Sequence, residues 1–106
     1  MSDLEQLVLL ALLRIGPDAY GITIAEEIAG RAGREVSFGP LYKVLNRLEL
    51  QGMVKSRLGD PTPERGGRRK RHYELQAAGR RALAKSLGAI DRLRRGLGAE
   101  LAREAR

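Results

Sequence analysis

Apolar side chains recur at helical spacing in four stretches of the chain and alternate with polar ones in two shorter stretches. The first helical stretch begins at a Ser2–Glu5 capping box and continues to Ile15, with apolar residues almost around its circumference. A helix that is apolar on every side is normally buried on more than one side. We therefore expect a second subunit to cover part of this helix.

The second helical stretch is bounded by clear stop signals. Gly16-Pro17-Asp18 interrupts the first helix. A second helix should then run from about Tyr20 to Ala32, with Gly33 as its left-handed cap. A short strand is expected at Glu35–Val36.

A third helix is predicted from its N-cap, Ser37, to a stop at Gly52. Pro40 fits its first turn, where a missing N–H costs nothing. The i, i+3, i+4, i+7 positions form an inward face of Leu41, Val44, Leu45 and Leu48. The opposite face consists of Gly39, Lys43, Asn46 and Leu50, flanked by Tyr42 and Arg47.

Alternation at residues 54–58 and 72–75 predicts two half-buried strands. The inward residues would be Val54, Ser56 and Leu58 on the first strand, and Tyr73 and Leu75 on the second. The segment Gly59–Arg69 between them is rich in turn residues and charge. The two strands should therefore form a long β-hairpin with a basic tip.

From Ala77 the chain is predicted to be helical again. A seven-residue pattern, interrupted at Arg94, resembles a coiled-coil seam and consists of Leu83, Leu87, Ile90, Leu97 and Leu101. Glycines weaken this helix, each by roughly 1 kcal/mol relative to alanine. Such a helix should need a partner surface.

These elements predict a mainly α fold with a small β-hairpin. Residues 1–76 would form a winged helix-turn-helix domain, and residues 77–106 a C-terminal dimerisation helix in the same compact unit. A chain of 106 residues buries only a modest core alone, so a second copy would complete the burial. The candidate dimer-interface residues are Leu4, Leu7, Val8, Leu83, Leu87, Ile90 and Leu97.

Positive charge is concentrated in one short segment of this chain, whose net charge is +7. Residues 55–71 hold 7 of the 20 basic side chains but only 2 of the 13 acidic ones, a pattern that attracts polyanions. A solvated loop, a localisation signal and an RNA contact are the competing interpretations of this run.

Composition argues against several function classes. The chain has no cysteine and a single histidine, and it lacks both a phosphate-binding glycine loop and converging carboxylates. We therefore expect no enzymatic activity, no cofactor and no metal. The apolar run Leu7–Leu13 is far shorter than the roughly 20 residues of a membrane span, and acidic residues precede it. A cytoplasmic protein is expected.

The third helix is the candidate DNA-reading element, because the second helix of a helix-turn-helix pair lies in the major groove. Lys43 and Arg47 can read guanine, and Asn46 can read adenine. Gly39 and Pro40 keep the start of the helix slim, so backbone N–H groups can approach phosphate. The alternative for each residue is an ordinary surface position of an amphipathic helix.

The stronger electrostatic signal is the basic cluster Arg65, Arg68, Arg69, Lys70 and Arg71. It lies between the two predicted strands, where the wing of a winged helix would be. Contact with the minor groove or with phosphates would suit such a tip. Tyr20 and Tyr42 fit either core packing or a phosphate contact.

Several segments resemble those of PadR-family transcriptional regulators, in the same order. They are Leu7–Leu13, Ala19–Gly21, Ser37–Tyr42, Leu45–Leu48, Gly59–Arg71 and Ala78–Leu83. The resemblance implies a homodimeric repressor on double-stranded DNA, usually released by a small-molecule effector. By position it assigns DNA contacts to the wing residues and to Tyr20, Ser37, Gly39, Pro40, Tyr42, Lys43 and Arg47.

Two departures restrict this resemblance. Some family members stack flat aromatic drugs between tryptophans, and this chain has no tryptophan. Its C-terminal helix is also short, as in the smaller subgroup of the family. The main hypothesis is a sequence-specific regulator of a palindromic operator. The alternative is a winged-helix module that binds a protein or RNA without an operator.

Overall fold

The computed structural model describes residues 1–60 and 69–105. Five helices and three strands lie in these ranges, a mainly helical winged-helix fold as predicted. In chain order they are α1 (Asp3–Ile15), β1 (Ala19–Tyr20), α2 (Gly21–Ala32), α3 (Phe38–Leu50), β2 (Val54–Leu58), β3 (Arg71–Leu75), α4 (Ala77–Arg94) and α5 (Gly98–Glu104). None of the helices described there is long and apolar enough to cross a lipid bilayer.

The sheet is antiparallel, with the strand order β1-β3-β2. Val54 lies opposite Leu75 and Leu58 opposite Arg71, which confirms the hairpin. The short strand expected at Glu35–Val36 is wrong, because those residues form neither helix nor strand. The additional strand is β1, where buried Ala19 pairs with Tyr73. Two residues are too few to show an alternating pattern, so this strand left no signal in the sequence.

The hydrophobic core lies between α1, α2, α3 and one face of the sheet. All four predicted inward residues of α3 are buried, as are Val54, Tyr73 and Leu75 of the sheet. Leu58 was expected to face the core, but it is 51% exposed. Burial along the inward face of β2 decreases from Val54 through Ser56, so Leu58 at the hairpin end of the strand lies at the surface.

The helix ends follow the local signals of the sequence. Ser2 and Glu5 form the predicted capping box, each side chain accepting a hydrogen bond from the other residue's N–H at 3.2 Å. Partial burial raises the pKa of Glu5, but the hydrogen bonds of Ser2 and the charges of Arg47 and the N-terminus outweigh it and leave that pKa below its ordinary value. Gly33 ends α2 with a φ of +64°, the left-handed conformation predicted for it.

The C-terminal segment consists of two helices instead of the single helix expected. The chain turns at Gly96, whose φ of +86° is a conformation that other residues rarely adopt. The expected seam is therefore interrupted between Ile90 and Leu97. The middle of α4 is joined to α1, because buried Gln6 donates a hydrogen bond from Nε2 to Ser86 Oγ at 2.7 Å.

The start of α4 packs directly against the backbone that precedes β2. The Gln76 N–H donates to the carbonyl oxygen of Met53 at 2.9 Å. A Cβ atom added at Gly79 would lie 2.3 Å from that same oxygen. Gly79 is thus a packing requirement, whereas its sequence position indicated only a weak point in the helix.

We expect Gly79→Ala to lower the free energy of unfolding by about 1–3 kcal/mol, since the new methyl group must push α4 away from Met53. Gly30→Ala is the matched control, because a Cβ at that helical position meets nothing within 4 Å. The control should raise the stability by roughly 0.5–1 kcal/mol. Urea unfolding of both variants measures the difference. Equal effects of the two substitutions would contradict the close contact.

Candidate nucleic-acid interface

The outward face of α3 exposes the side chains predicted to read bases. Lys43, Asn46 and Arg47 are all exposed, and so are Gly39 and Pro40 in the first turn. Ser37 has the extended backbone of an N-cap, but its side chain makes no capping hydrogen bond. The Ser37 hydroxyl group and the N–H groups of the first turn therefore do not form hydrogen bonds with each other. This end of the helix can donate hydrogen bonds to an anion.

Tyr42 connects α3 to the start of α2. A Cβ atom added at Gly21 would lie 2.2 Å from the Tyr42 hydroxyl oxygen, so the ring end lies directly against the Gly21 backbone. Tyr42 is still 41% exposed. Of the two roles left open by the sequence, the structure therefore excludes a core position for Tyr42 and places its ring at the surface beside both helices.

Phe38 is an exposed aromatic residue on α3 that the candidate DNA-binding set did not include. Its ring stacks on that of Tyr42, with centroids 6.2 Å apart and an interplanar angle of 28°. Phe38 is the only phenylalanine in the chain, and it is 47% exposed. In the sequence, Phe38 lies four residues before Tyr42 at the start of a predicted helix, and this spacing indicates that the two rings can contact each other.

Tyr20 lies on the outer face of the sheet and is half-buried. Its ring meets His72 edge-on at a centroid distance of 5.7 Å. The Lys70 ammonium group lies 4.5 Å from the ring centroid and 3.4 Å from the hydroxyl oxygen. Tyr20 is thus not a core residue, and it orients one of the predicted wing cations.

A chain of hydrogen bonds joins the hairpin to α3. Glu49 Oε2 accepts the Ser56 N–H at 3.1 Å and the Ser56 hydroxyl at 2.6 Å. Arg71 Nη1 in turn donates to Ser56 Oγ at 3.1 Å. Because β2 is an edge strand, its Ser56 N–H has no neighbouring strand to pair with on that side. The carboxylate of Glu49 satisfies this group and attaches the wing to α3.

The basic residues of the hairpin differ in their surroundings. Arg69 and Arg71 are exposed and Lys70 is partly buried, while Arg65 and Arg68 lie outside the described residues. Arg57 is on the other face of the hairpin, where it forms an ion pair with Asp18 at 3.0 Å. At the base of the wing, Arg71 is therefore connected to α3 through Ser56, whereas Arg57 is connected to Asp18 in the segment before β1.

The candidate dimer-interface residues divide into buried and exposed positions. Val8 is 0% exposed and Leu83 is 4% exposed, so neither offers appreciable surface to a partner. Val8 is buried because α1 packs against both α2 and α3. Leu4, Leu7 and Leu87 are partly buried at the edge of the core. Ile90 and Leu97 are exposed, as are two further residues of this segment, Leu93 and Leu101.

Within residues 1–60 and 69–105, no three histidine or acidic side chains lie close enough together to hold a metal ion. An apolar groove lies instead between α1 and α2. It is lined by Leu7, Leu10 and Ala11, with Arg14 and Arg31 at the same groove. The groove is open to solvent, and its α1 residues belong to the apolar run Leu7–Leu13.

We expect Glu49→Ala to destabilise the protein by about 1 kcal/mol, because the half-buried Ser56 N–H loses a charged acceptor. Amide hydrogen exchange at Ser56 should accelerate as well. Glu26→Ala, at an exposed glutamate of α2, should change the stability by less than about 0.5 kcal/mol. Unchanged exchange at Ser56 in Glu49→Ala would refute the attachment of the wing to α3.

The sequence of the chain matches the model of a known protein family. Residues 9–85 match the profile described as "Transcriptional regulator PadR-like family". No curated protein sequence matches the chain.

Solved structures with a similar fold include a PadR family transcription regulator from Clostridium difficile R20291. It is 22% identical with a TM-score of 0.75, and the match covers 94% of this chain and 99% of that one. A transcriptional regulator from Clostridium thermocellum is 21% identical, with a TM-score of 0.73 and coverage of 90% and 89%. A PadR family regulator from Eggerthella lenta DSM 2243 is 27% identical, with a TM-score of 0.69 and coverage of 91% and 81%.

Proposed function

The chain belongs to the PadR-like family of transcriptional regulators, and from this premise we propose that it represses transcription as a homodimer on a palindromic operator. It is a DNA-binding regulator and not an enzyme. The observation that carries the proposal is the exposed polar face of α3, bordered by a basic hairpin that Glu49 and Ser56 attach to the same helix. One duplex can meet both elements together.

The proposed contacts follow from exposure and chemistry. Lys43, Asn46 and Arg47 would meet base edges in the major groove. Ser37 and the first N–H groups of α3 would bind phosphate. The wing would add further phosphate contacts, and Tyr42, Gly39 and Pro40 would shape the approach of the helix.

Dimerisation is supported by the apolar surface of the C-terminal segment. Ile90, Leu93, Leu97 and Leu101 are each at least 43% exposed in the single subunit. Several large apolar side chains exposed within one short segment favour association with a partner surface. A two-fold axis would place two recognition helices about one turn of DNA apart, roughly 34 Å, on a symmetric operator.

A small-molecule effector would bind the apolar space between α1 and the C-terminal helices of the two subunits. The partly buried residues Leu4, Leu7 and Leu87 border this space on one subunit. A ligand that favours one spacing of the recognition helices would change operator affinity through differential binding to the two states. Operator affinity that no compound in a broad panel changes would count against an effector.

Selection of duplexes from a random pool tests the operator directly. A two-fold symmetric motif with half-sites one helical turn apart is the expected result. A winged-helix module that binds protein or RNA would instead enrich no duplex sequence. Repression is then tested by placing the selected motif over a promoter and measuring transcription with and without the protein.

The role of the wing is tested by Arg69→Ala. Loss of one phosphate contact per wing should weaken binding to all sequences and reduce the slope of log affinity against log salt by about one unit per wing. Arg103→Ala in α5 removes the same charge from an exposed position outside the hairpin and should leave the slope nearly unchanged. Equal slopes for the wild type and Arg69→Ala would remove Arg69 from the interface.

The dimer is tested by combining Ile90→Glu with Leu97→Glu. Burying carboxylates in an apolar contact is costly, so the dimer should dissociate at least about 100-fold more readily. The control is Arg92→Gln with Arg95→Gln, which lowers the net charge equally at exposed positions of the same segment. Sedimentation velocity measures both. A wild-type protein that stays monomeric at all concentrations would overturn the dimer.

A further inference from the structure

We propose that Phe38 contacts the C5 methyl group of a thymine in the major groove and thereby specifies a T·A pair in each half-site. This inference rests on the proposed function, because it requires α3 to lie in the groove. It concerns a residue outside the polar reading face of Lys43, Asn46 and Arg47. It adds an apolar component to base recognition.

The position of Phe38 is the first observation. It is the first residue of α3, at the end of a recognition helix that approaches base edges most closely. Its next neighbour is Gly39, which has no side chain to shield it, and a Cβ there would meet nothing within 4 Å. Phe38 is 47% exposed as a residue, so it remains accessible to a duplex.

The support of the ring is the second observation. Phe38 stacks on Tyr42, and Tyr42 lies against the backbone of Gly21 at the start of α2. The ring of Phe38 is thus supported by Tyr42, and Tyr42 is itself positioned by its contact with α2 before any DNA is bound. A preorganised side chain loses little conformational entropy on binding, so its contact contributes more fully to affinity.

The chemistry of the ring selects its partner. A phenyl group forms no conventional hydrogen bond, and covering a phosphate or a polar base edge with it would leave that group without water or a protein partner. The thymine methyl is the apolar group that a base pair presents in the major groove. Thymine is therefore the base that gains from a rigid phenyl ring in the first turn.

Leu50 provides an internal comparison on the same helix. It is also apolar and is 89% exposed, but it occupies the last position of α3. The first turn of a recognition helix meets the bases, so Leu50 should contribute nothing to thymine recognition. This makes Leu50→Ala a matched control for Phe38→Ala.

The experiment replaces each thymine of the selected operator, one symmetric pair at a time, with deoxyuracil, which pairs normally but lacks the C5 methyl. Burial of one methyl group corresponds to about fourfold in affinity per half-site. Wild-type protein and Leu50→Ala should both lose about fourfold per half-site at one position. Phe38→Ala should bind the thymine and deoxyuracil duplexes equally well.

Comparing the two duplexes within each variant cancels any general loss, including a displacement of Tyr42 when its stacking partner is removed. Phe38→Leu, which keeps an apolar side chain, should retain part of the discrimination. Equal binding of both duplexes by the wild type at every position, or discrimination that persists in Phe38→Ala, would overturn the inference while leaving the operator intact. Failure to select any operator would overturn the proposed function and this inference together.

Discussion

The burial of one face of α3 is the constraint on which the rest of the interface depends. Leu41, Val44, Leu45 and Leu48 are all buried, so the period of the helix leaves the opposite residues at the surface. The same packing orients one flank of α3, which carries Phe38, Tyr42 and Glu49. Phe38 stacks on Tyr42, Tyr42 lies against α2, and Glu49 accepts a hydrogen bond from β2. The core of the protein thus determines which side chains are available to DNA.

Two close backbone contacts make this arrangement possible. At Gly21 the absence of a side chain lets Tyr42 reach the start of α2, and at Gly79 it lets α4 reach the carbonyl of Met53. The glycines have ordinary helical positions, so their requirement is spatial and not conformational. The hairpin depends on a different device, because Glu49 satisfies a backbone N–H on its edge strand. Because Ser56 also accepts a hydrogen bond from Arg71, the charged carboxylate of Glu49 connects one basic residue at the base of the hairpin to α3.

Much of the fold and part of the interface followed from local patterns. The capping box, the helical spacing of α3, the left-handed cap at Gly33 and the alternation of β2 and β3 each depend on residues a few positions apart. The exposed side chains of Lys43, Asn46 and Arg47 follow from the same periodicity. Periodicity reports only which face of an element is apolar, however, and not which other element covers it. Periodicity alone therefore places Val8 at a subunit interface, whereas it lies in the core of one subunit.

Local patterns in the chain were enough to specify the first three helices, the hairpin and the concentration of positive charge between its strands, because these signals act over one or two turns or one strand. The remaining features required contacts between distant segments. Ala19 becomes part of a strand only through Tyr73, and Gly79 is needed only because Met53 lies beside it. The exposed ring of Tyr42 lies against α2, the helix that precedes α3. Such contacts leave no periodic trace, since each joins single residues whose separation in the chain is set by the topology.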